Sequence, residues 1–247
     1  MGHYIYAIAS TAENAILGCA GMPEAQGPVS LVSHKGVAAV VSPSPELSYK
    51  ISRENTMAHQ LVMDQVMAHY TILPVKFGTV ADTMDLIYEK LLTDRHEELK
   101  AQLEHFSGKV ELGLKMMWRN MGPVYETIVE KNSKIKRFRD RLNRHRGGRQ
   151  NDQIQLGEMV AAALEEHKRR EASRIQRALS GLWEERCINA PMGDAMIINH
   201  AYLVKKADES AFDRAVDRLE SLLEDSVKVK YVGPAAPSHF IELQIQW

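Results

Sequence analysis

The sequence predicts an α+β protein of two domains, and three observations carry that reading. Val110, Leu112, Leu114, Met116 and Trp118 fall on every second position, the spacing of a strand that covers a core with one face. Elsewhere the apolar residues recur at helical spacing, with His59, Val62, Met63, Val66 and Tyr70 on one such face. The chain has 247 residues, more than the common single-domain size of about 100–150 residues. Strand-like and helix-like segments lie on both sides of the stretch 107–118, so the expected domains are 1–107 and 108–247.

Taken in order, residues 3–9 alternate Tyr4, Tyr6 and Ile8 with Ile5 and Ala7, a strand apolar on both faces. Residues 10–28 hold Gly18, Gly21, Pro23, Gly27 and Pro28 and read mostly as loop. Residues 29–34 and 37–42 flank Lys35-Gly36 as a hairpin, and Pro43 and Pro45 are expected to end the sheet. Residues 53–70 form the helix that carries His59 in its apolar stripe. His69 lies off that face, so His59 is expected to be a packed, hydrogen-bonded core histidine, and Met57, Met63 and Met67 core filler.

Residues 71–80 read as a strand in which Pro74, lacking an N–H, requires an edge, a bulge or a strand start. Met84, Ile87, Tyr88, Leu91 and Leu92 make one helical stripe, continued by Leu99, Leu103 and Phe106. Asp94 and Glu97 resemble a capping box between two helices that meet near Thr93.

After the strand 107–118, with Glu111, Gly113 and Lys115 expected on its solvent side, Gly122-Pro123 opens a long polar helical region. Its basic portion runs from Lys131 to Arg149 with Asp140 as the only acid, and Gly147-Gly148 should break it. A more acidic helix over 153–183 follows. The pair reads as a projecting helical hairpin with a thin seam at Ile135, Phe138 and Leu142, dispensable for folding. The rival is a nucleic-acid arm, which calls for aromatic platforms where the run offers only Phe138. Residues 186–190 and 196–204 are strands. Phe212, Ala215, Val216, Leu219, Leu222 and Leu223 mark a helix capped by Asp208 or Ser210. Val227, Val229 and Tyr231, then Ile241, Leu243, Ile245 and Trp247, mark two last strands joined by a loop from Gly233 to Pro237. That order is βαββαβ plus one strand, a ferredoxin-like order with a long helical insertion at about 122–185.

Composition narrows the function classes. Net charge is −1, from 31 basic and 32 acidic residues, so nothing global favours polyanions or membranes. No apolar run approaches the roughly 18 residues that span a bilayer. The start MGHYIYAIAS opens directly into a strand pattern without a signal-peptide layout. Cys19 and Cys187 lack metal-ligand spacing and fit a reducing cytoplasm. Phosphate-loop, dinucleotide, GxSxG and HExxH patterns are absent, so no catalytic, cofactor or metal residues are assigned. An enzyme of unsignalled class stays open.

Function enters through resemblance. GKVELGLKM, TILPVKFGT at 71–79, NHAYLV at 199–204, the initial YIYAIAS and the closing GP-x-x-P-x-x-F together resemble the gas vesicle protein F/L family (GvpF/GvpL) over nearly the whole chain. The resemblance implies a modified ferredoxin-like C-terminal domain. It also implies a cytoplasmic, non-enzymatic assembly factor and minor structural component of gas vesicles, whose partners are the major shell protein and other accessory gas vesicle proteins. No cofactor, nucleic acid or membrane is expected, and the oligomeric state and the choice between the F-like and L-like role stay open. The family pattern usually has Arg where this chain has Lys76, and a GPWPPYSF-like run where Ala235, Ala236 and His239 stand here. Lys lacks the planar fork of Arg, and the missing aromatics mean that a partner anchor in that loop is lost or moved. The candidate partner-binding residues are Val75, Lys76, Phe77 and Gly78, Arg137 and Arg141, and Pro234, Pro237 and Phe240. For Lys76 the ordinary alternative is a solvated lysine on an exposed strand face.

Overall fold

The computed structural model describes residues 2–144, 150–245 and 247. The expected break at Gly147-Gly148 and the cations Arg146 and Arg149 lie outside the described residues. The chain divides into two compact units. One is Met1–Leu112 with Leu203–Ala207 and Gly233–Trp247, and the other is Gly113–Tyr202 with Asp208–Val232.

The first unit is built on a sheet of β1 (Gly2–Ala9), β2 (Ala15–Ile16), β3 (Ser30–His34), β4 (Val37–Ser44), β5 (Ile72–Pro74) and β6 (Val80–Ala81). Their order is β2-β3-β4-β1-β5, with β6 also paired to β1. The β3–β4 hairpin turns at Lys35 (φ 47) and Gly36 (φ 89). Two successive left-handed residues match the twist of the flanking strands, which is why glycine sits there. Residues 10–28 are mostly loop, as expected, with the two-residue β2 in them pairing Ala15 with Leu31 and Ile16 with Ser30. Pro43 does not end the sheet: β4 continues to Ser44 opposite β1, while its pairing with β3 stops at Val41, so Pro43 faces no donor-seeking neighbour on that side.

Three helical segments follow in this unit: α1 (Arg53–Met67), the short α2 (Met84–Leu86) running into a π-helical turn at Ile87–Thr93, and α3 (His96–Phe106). Ser52 caps α1 by accepting the Asn55 N–H. The wide turn brings Ile87, Leu91 and Leu92 all to full burial, each worth about 1.5–3 kcal/mol of transfer free energy. The capping box at Asp94 is corrected: its carboxylate takes Lys90 at 3.1 Å, and the start of α3 has no side-chain cap. The two faces of β1 serve two cores, with the alternation interrupted by a register shift between Ile5 and Ala7. Ile5 and Ile8 join Leu91, Leu92, Leu99 and Leu103 in one, and Tyr4 and Tyr6 join Val62, Met63 and Val66 of α1 in the other.

The second unit holds most residues of a four-stranded sheet. Its elements in chain order are β7 (Lys109–Trp118), α4 (Met121–Lys131), α5 (Ser133–Arg144), α6 (Gln150–Ala178), β8 (Glu185–Ile188), β9 (Met196–Lys205), α7 (Glu209–Leu223) and β10 (Val227–Ala235). The sheet order β10-β7-β9-β8 places the first and third strands of a βαββαβ run at the centre, the ferredoxin-like arrangement expected from the pattern. Leu114 and Met116 of β7 are fully buried. At Gly113 a Cβ would stand 2.8 Å from Cγ2 of Val232, so glycine is what lets β10 approach there. Phe212, Ala215, Val216 and Leu219 of α7 pack down, with the Phe212 ring 5.2 Å from that of Tyr202. Asp208 occupies the cap position of α7 without a side-chain bond.

Two further expectations are corrected. The helical region is not a thin-seamed projection throughout, because Val124, Ile128, Leu164, Ile175 and Leu179 are buried. Only α5, with Ile135 as its one buried residue, fits that description. The final strand expected over 241–247 is not formed among the described residues of that range. Leu243 makes an isolated parallel bridge with Val75, and beyond Val75 the chain turns away, leaving nothing to extend the pairing.

Candidate partner-binding surface

The stretch 71–80 sits where Pro74 requires it, at the edge of the first sheet, but it is two short strands with a bulge between them. Both pair with β1: Leu73 with Ile8 and Pro74 with Ala7 on one side, Val80 with Tyr4 and Ala81 with His3 on the other. Five residues, 75–79, therefore span the gap opposite Ile5 and Tyr6. Gly78 at φ +84 closes the turn, and the Thr79 N–H and hydroxyl both donate to the Lys76 carbonyl, at 3.3 and 2.7 Å.

A chain of hydrogen bonds ties this bulge to the core. The His59 ring is buried against Tyr4, Tyr6 and Phe77. One ring nitrogen meets the Val75 carbonyl, which can only accept, so that nitrogen carries the proton. Nδ1 is left as an acceptor for the Tyr4 hydroxyl at 3.0 Å, and the Tyr4 oxygen in turn accepts the Gly78 N–H at 3.0 Å. Burial holds the His59 imidazole down at about 4, with the Val75 carbonyl working against it. Burial likewise pushes the Tyr4 hydroxyl up. A neutral, fully bonded histidine fixing two backbone groups is a structural part, as the sequence suggested. Beside it the Tyr6 hydroxyl bonds Ser42 Oγ at 2.8 Å and accepts the Met22 N–H at 2.7 Å.

The candidate residues fall into distinct settings. Val75 is buried, its N–H donating to the Tyr6 carbonyl at 3.1 Å, and Phe77 packs on the tyrosine core. Lys76 is exposed, while its backbone N–H donates to the Leu243 carbonyl at 3.1 Å. The edge is thus partly covered by the chain's own last residues, and the Lys76 side chain is the part turned outward. Phe240 packs with Val75 and Leu243 in the other core; Pro237 is buried and Pro234 exposed. The structure brings these seven residues together in one unit. Arg137 and Arg141 belong to the other unit and line a cleft with Phe138, Gln155 and Met159. Arg141 lies 4.6 Å over the Phe138 ring, Lys136 pairs with Glu130 and Arg139 with Asp140. The aromatic that a nucleic-acid arm would need is engaged locally.

The turn after β10 holds an unforeseen pair. Glu111 is buried, and its carboxylate accepts both the His239 backbone N–H at 2.8 Å and His239 Nδ1 at 2.5 Å. Glu111 is therefore not on a solvent face of β7, because the segment 233–240 covers it. Gly233, in a cis bond to Pro234, has φ +132, and a Cβ there would stand 2.8 Å from the Glu111 carbonyl oxygen. Among the described residues no group of three or more His, Cys, Asp or Glu is placed to hold a metal ion, and no helix is long and apolar enough to cross a membrane.

The profile of the family described as gas vesicle synthesis protein GvpL/GvpF matches residues 2–242. The chain belongs to that family. It is 28% identical over 246 residues to gas vesicle protein F of Streptomyces sp. (strain CB03234), covering 98% of this chain and 100% of that relative. It is 27% identical over 258 residues to gas vesicle protein L1 of Halobacterium salinarum (strain ATCC 700922 / JCM 11081 / NRC-1), covering 97% and 90%. The crystal structure of GvpF from Microcystis aeruginosa superposes with a TM-score of 0.82 at 27% identity, over 98% of this chain and 99% of that one. GvpF from Anabaena sp. PCC7120 superposes with a TM-score of 0.86 over 99% of both chains, and at 22% identity that likeness speaks to the fold alone.

In this GvpL/GvpF chain, sequence reasoning missed the Glu111–His239 pair and the bond chain from His59 to Gly78. The second had a signal: Tyr4 and Tyr6 lie on one face of a strand buried on both sides, and buried hydroxyls seek partners. The first had none, since Glu111 and His239 are 128 residues apart.

Proposed function

We propose that this GvpL/GvpF protein is a non-enzymatic assembly factor and minor structural component of gas vesicles. It acts in the cytoplasm by binding the major shell protein or other accessory gas vesicle proteins. The observation that carries this reading is the family match over residues 2–242. The anchored edge bulge supports it: His59, Tyr4 and Leu243 hold the backbone of 75–78 and leave the Lys76 side chain free for a partner. Leu47, Ile51, Met57 and Leu61 add apolar surface, with exposures of 65, 86, 52 and 55%. Met57 and Leu61 stand one turn apart on α1, a grip suited to a very hydrophobic shell subunit. Arg137, Arg141 and Pro234 are further contacts in this reading, while Pro237 and Phe240 shape the turn behind Pro234. Pull-down of the tagged full chain from cells expressing the shell subunit and the other accessory proteins tests it. Recovery of at least one of them, lost on Met57→Glu with Leu61→Glu, is the expected result. Recovery of none overturns the reading.

A further inference from the structure

Between α4 and the later part of α6 the second unit has a cleft of about 160 Å³ whose walls include Lys131, Asn132, His167, Arg170, Glu171 and Arg174. Three permanent cations, Lys131, Arg170 and Arg174, face one carboxylate, Glu171, so the cleft carries +2 when His167 is neutral. Glu171 is already paired with Arg174 at 2.9 Å. Arg170 touches Glu166 only through Nε, at 3.5 Å to the carboxylate and 3.4 Å to the carbonyl. Its terminal nitrogens and the Lys131 ammonium have no ion pair among the described residues. The Asn132 side-chain oxygen accepts the N–H groups of Lys134 and Ile135 at 3.2 and 3.3 Å, which leaves its amide NH₂ as a donor. His167 stacks on Trp118, with centroids 5.4 Å apart and planes 4° from parallel. Burial, then the cations of Arg170, Lys131 and Arg174, lower its affinity for a proton, with Glu171 opposing.

We propose that this cleft binds a dianionic oxyanion: inorganic phosphate or the terminal phosphate of a phosphomonoester. The local charge of +2 matches such a group, which carries about −1.5 to −2 near neutral pH. A single carboxylate would leave one cation uncompensated. The free guanidinium edge of Arg170 offers a planar pair of donors, Lys131 a point charge, and Asn132 a neutral donor, which together suit a tetrahedral oxyanion. The volume holds one such group, and the open side admits the rest of a larger molecule. Arrival of the anion reverses the field at His167, so binding draws a proton onto that ring. This inference is independent of the gas vesicle reading.

The test is calorimetric titration of the full chain at constant ionic strength with inorganic phosphate, phenyl phosphate and acetate, and in a separate arm with a short single-stranded RNA. Saturable binding of phosphate or phenyl phosphate is expected. Lys131→Gln with Arg170→Gln should weaken it at least tenfold while the far-UV spectrum and Tm are kept, since both side chains are on the surface of their helices. Tighter phenyl phosphate assigns a phosphorylated molecule as the source, and tighter phosphate assigns the free ion. NMR titration of His167 should show its pKa rise at saturating phosphate in the wild type and stay put in the double variant. Absence of saturation up to about 10 mM phosphate and phenyl phosphate, acetate binding as tightly as phosphate, RNA binding without phosphate binding, or a double variant that binds normally each overturn the proposal.

Discussion

Lowering the pH is expected to unfasten the edge bulge through one histidine. The folded His59 imidazole is held at about 4 against an ordinary 6.5. As pH falls, the unfolded chain therefore takes up the proton first. The stability this contributes is complete above about 6.5 and is lost between there and about 4. At about pH 5 the unfolded ring is almost wholly protonated and the folded ring about one-tenth, a difference worth about 2 kcal/mol. His200 of β9, bonded to the Tyr202 hydroxyl at 3.1 Å and also held at about 4 by burial, adds a similar loss in the other unit. The two are separated by His59→Gln. Glutamine offers an amide N–H for the Val75 carbonyl and an oxygen for the Tyr4 hydroxyl but has no proton to gain. Urea unfolding followed by far-UV circular dichroism at about pH 7.5 and about pH 5 gives the stability lost by each protein. The wild type should lose about 2 kcal/mol more than His59→Gln. Equal losses would refute the argument that His59 is folded as a neutral, proton-resisting group.

Leu114 of β7 is fully buried, so Leu114→Asp places an unpaired carboxylate in the core and should cost about 4 kcal/mol or more; a wild-type melting curve would show the face to be wrongly assigned. Lys76→Glu reverses an exposed charge and should leave the melting temperature within error. If Lys76 meets a partner, cells making only that variant should accumulate the protein yet lack vesicles by electron microscopy, and a normal vesicle count would identify an ordinary solvated lysine. Replacing residues 134–160 by a short Gly/Ser linker should leave a cooperative melt, because among the described residues removed Ile135 is the one deeply buried side chain. Removing 124–177 should abolish that melt by taking away Val124, Ile128, Leu164 and Ile175; equal behaviour of the two deletions would refute this division.

Elements whose periodicity is decided by one large core were legible. Val110 to Trp118 alternate because one face of β7 is packed, and Phe212 to Leu219 recur at helical spacing because one stripe of α7 is packed. What could not be read depends on residues distant in sequence. Glu111 looks solvent-facing until the segment around His239 folds over it. The run 71–80 looks like one strand because its residues favour extension; its break comes from His59 and Tyr4 capturing the groups at Val75 and Gly78. Lys76 was legible as an outward charge at an edge, while the covering of that edge by Leu243 was hidden, because a tail with strand periodicity gives no sign of how few of its residues will pair. The long helix α6 misled in the other direction: its polar composition concealed Leu164 and Ile175, buried residues three turns apart among charged neighbours.

The bridge between Val75 and Leu243 has a consequence in time. The first unit takes Leu203 and Leu243 into the same core as Ile5, Val75 and Leu91. From Leu112 to Leu243 is about 130 residues, some 7–26 s of translation at about 5–20 residues per second. Until residue 203 is made the core of the amino-terminal sheet lacks both leucines, and until residue 243 is made the Val75 edge lacks its bridge partner. The nascent chain is then at its most adhesive toward other extended, apolar polypeptides. Protein-coding order thus gives the edge a brief open phase that the finished molecule closes by itself.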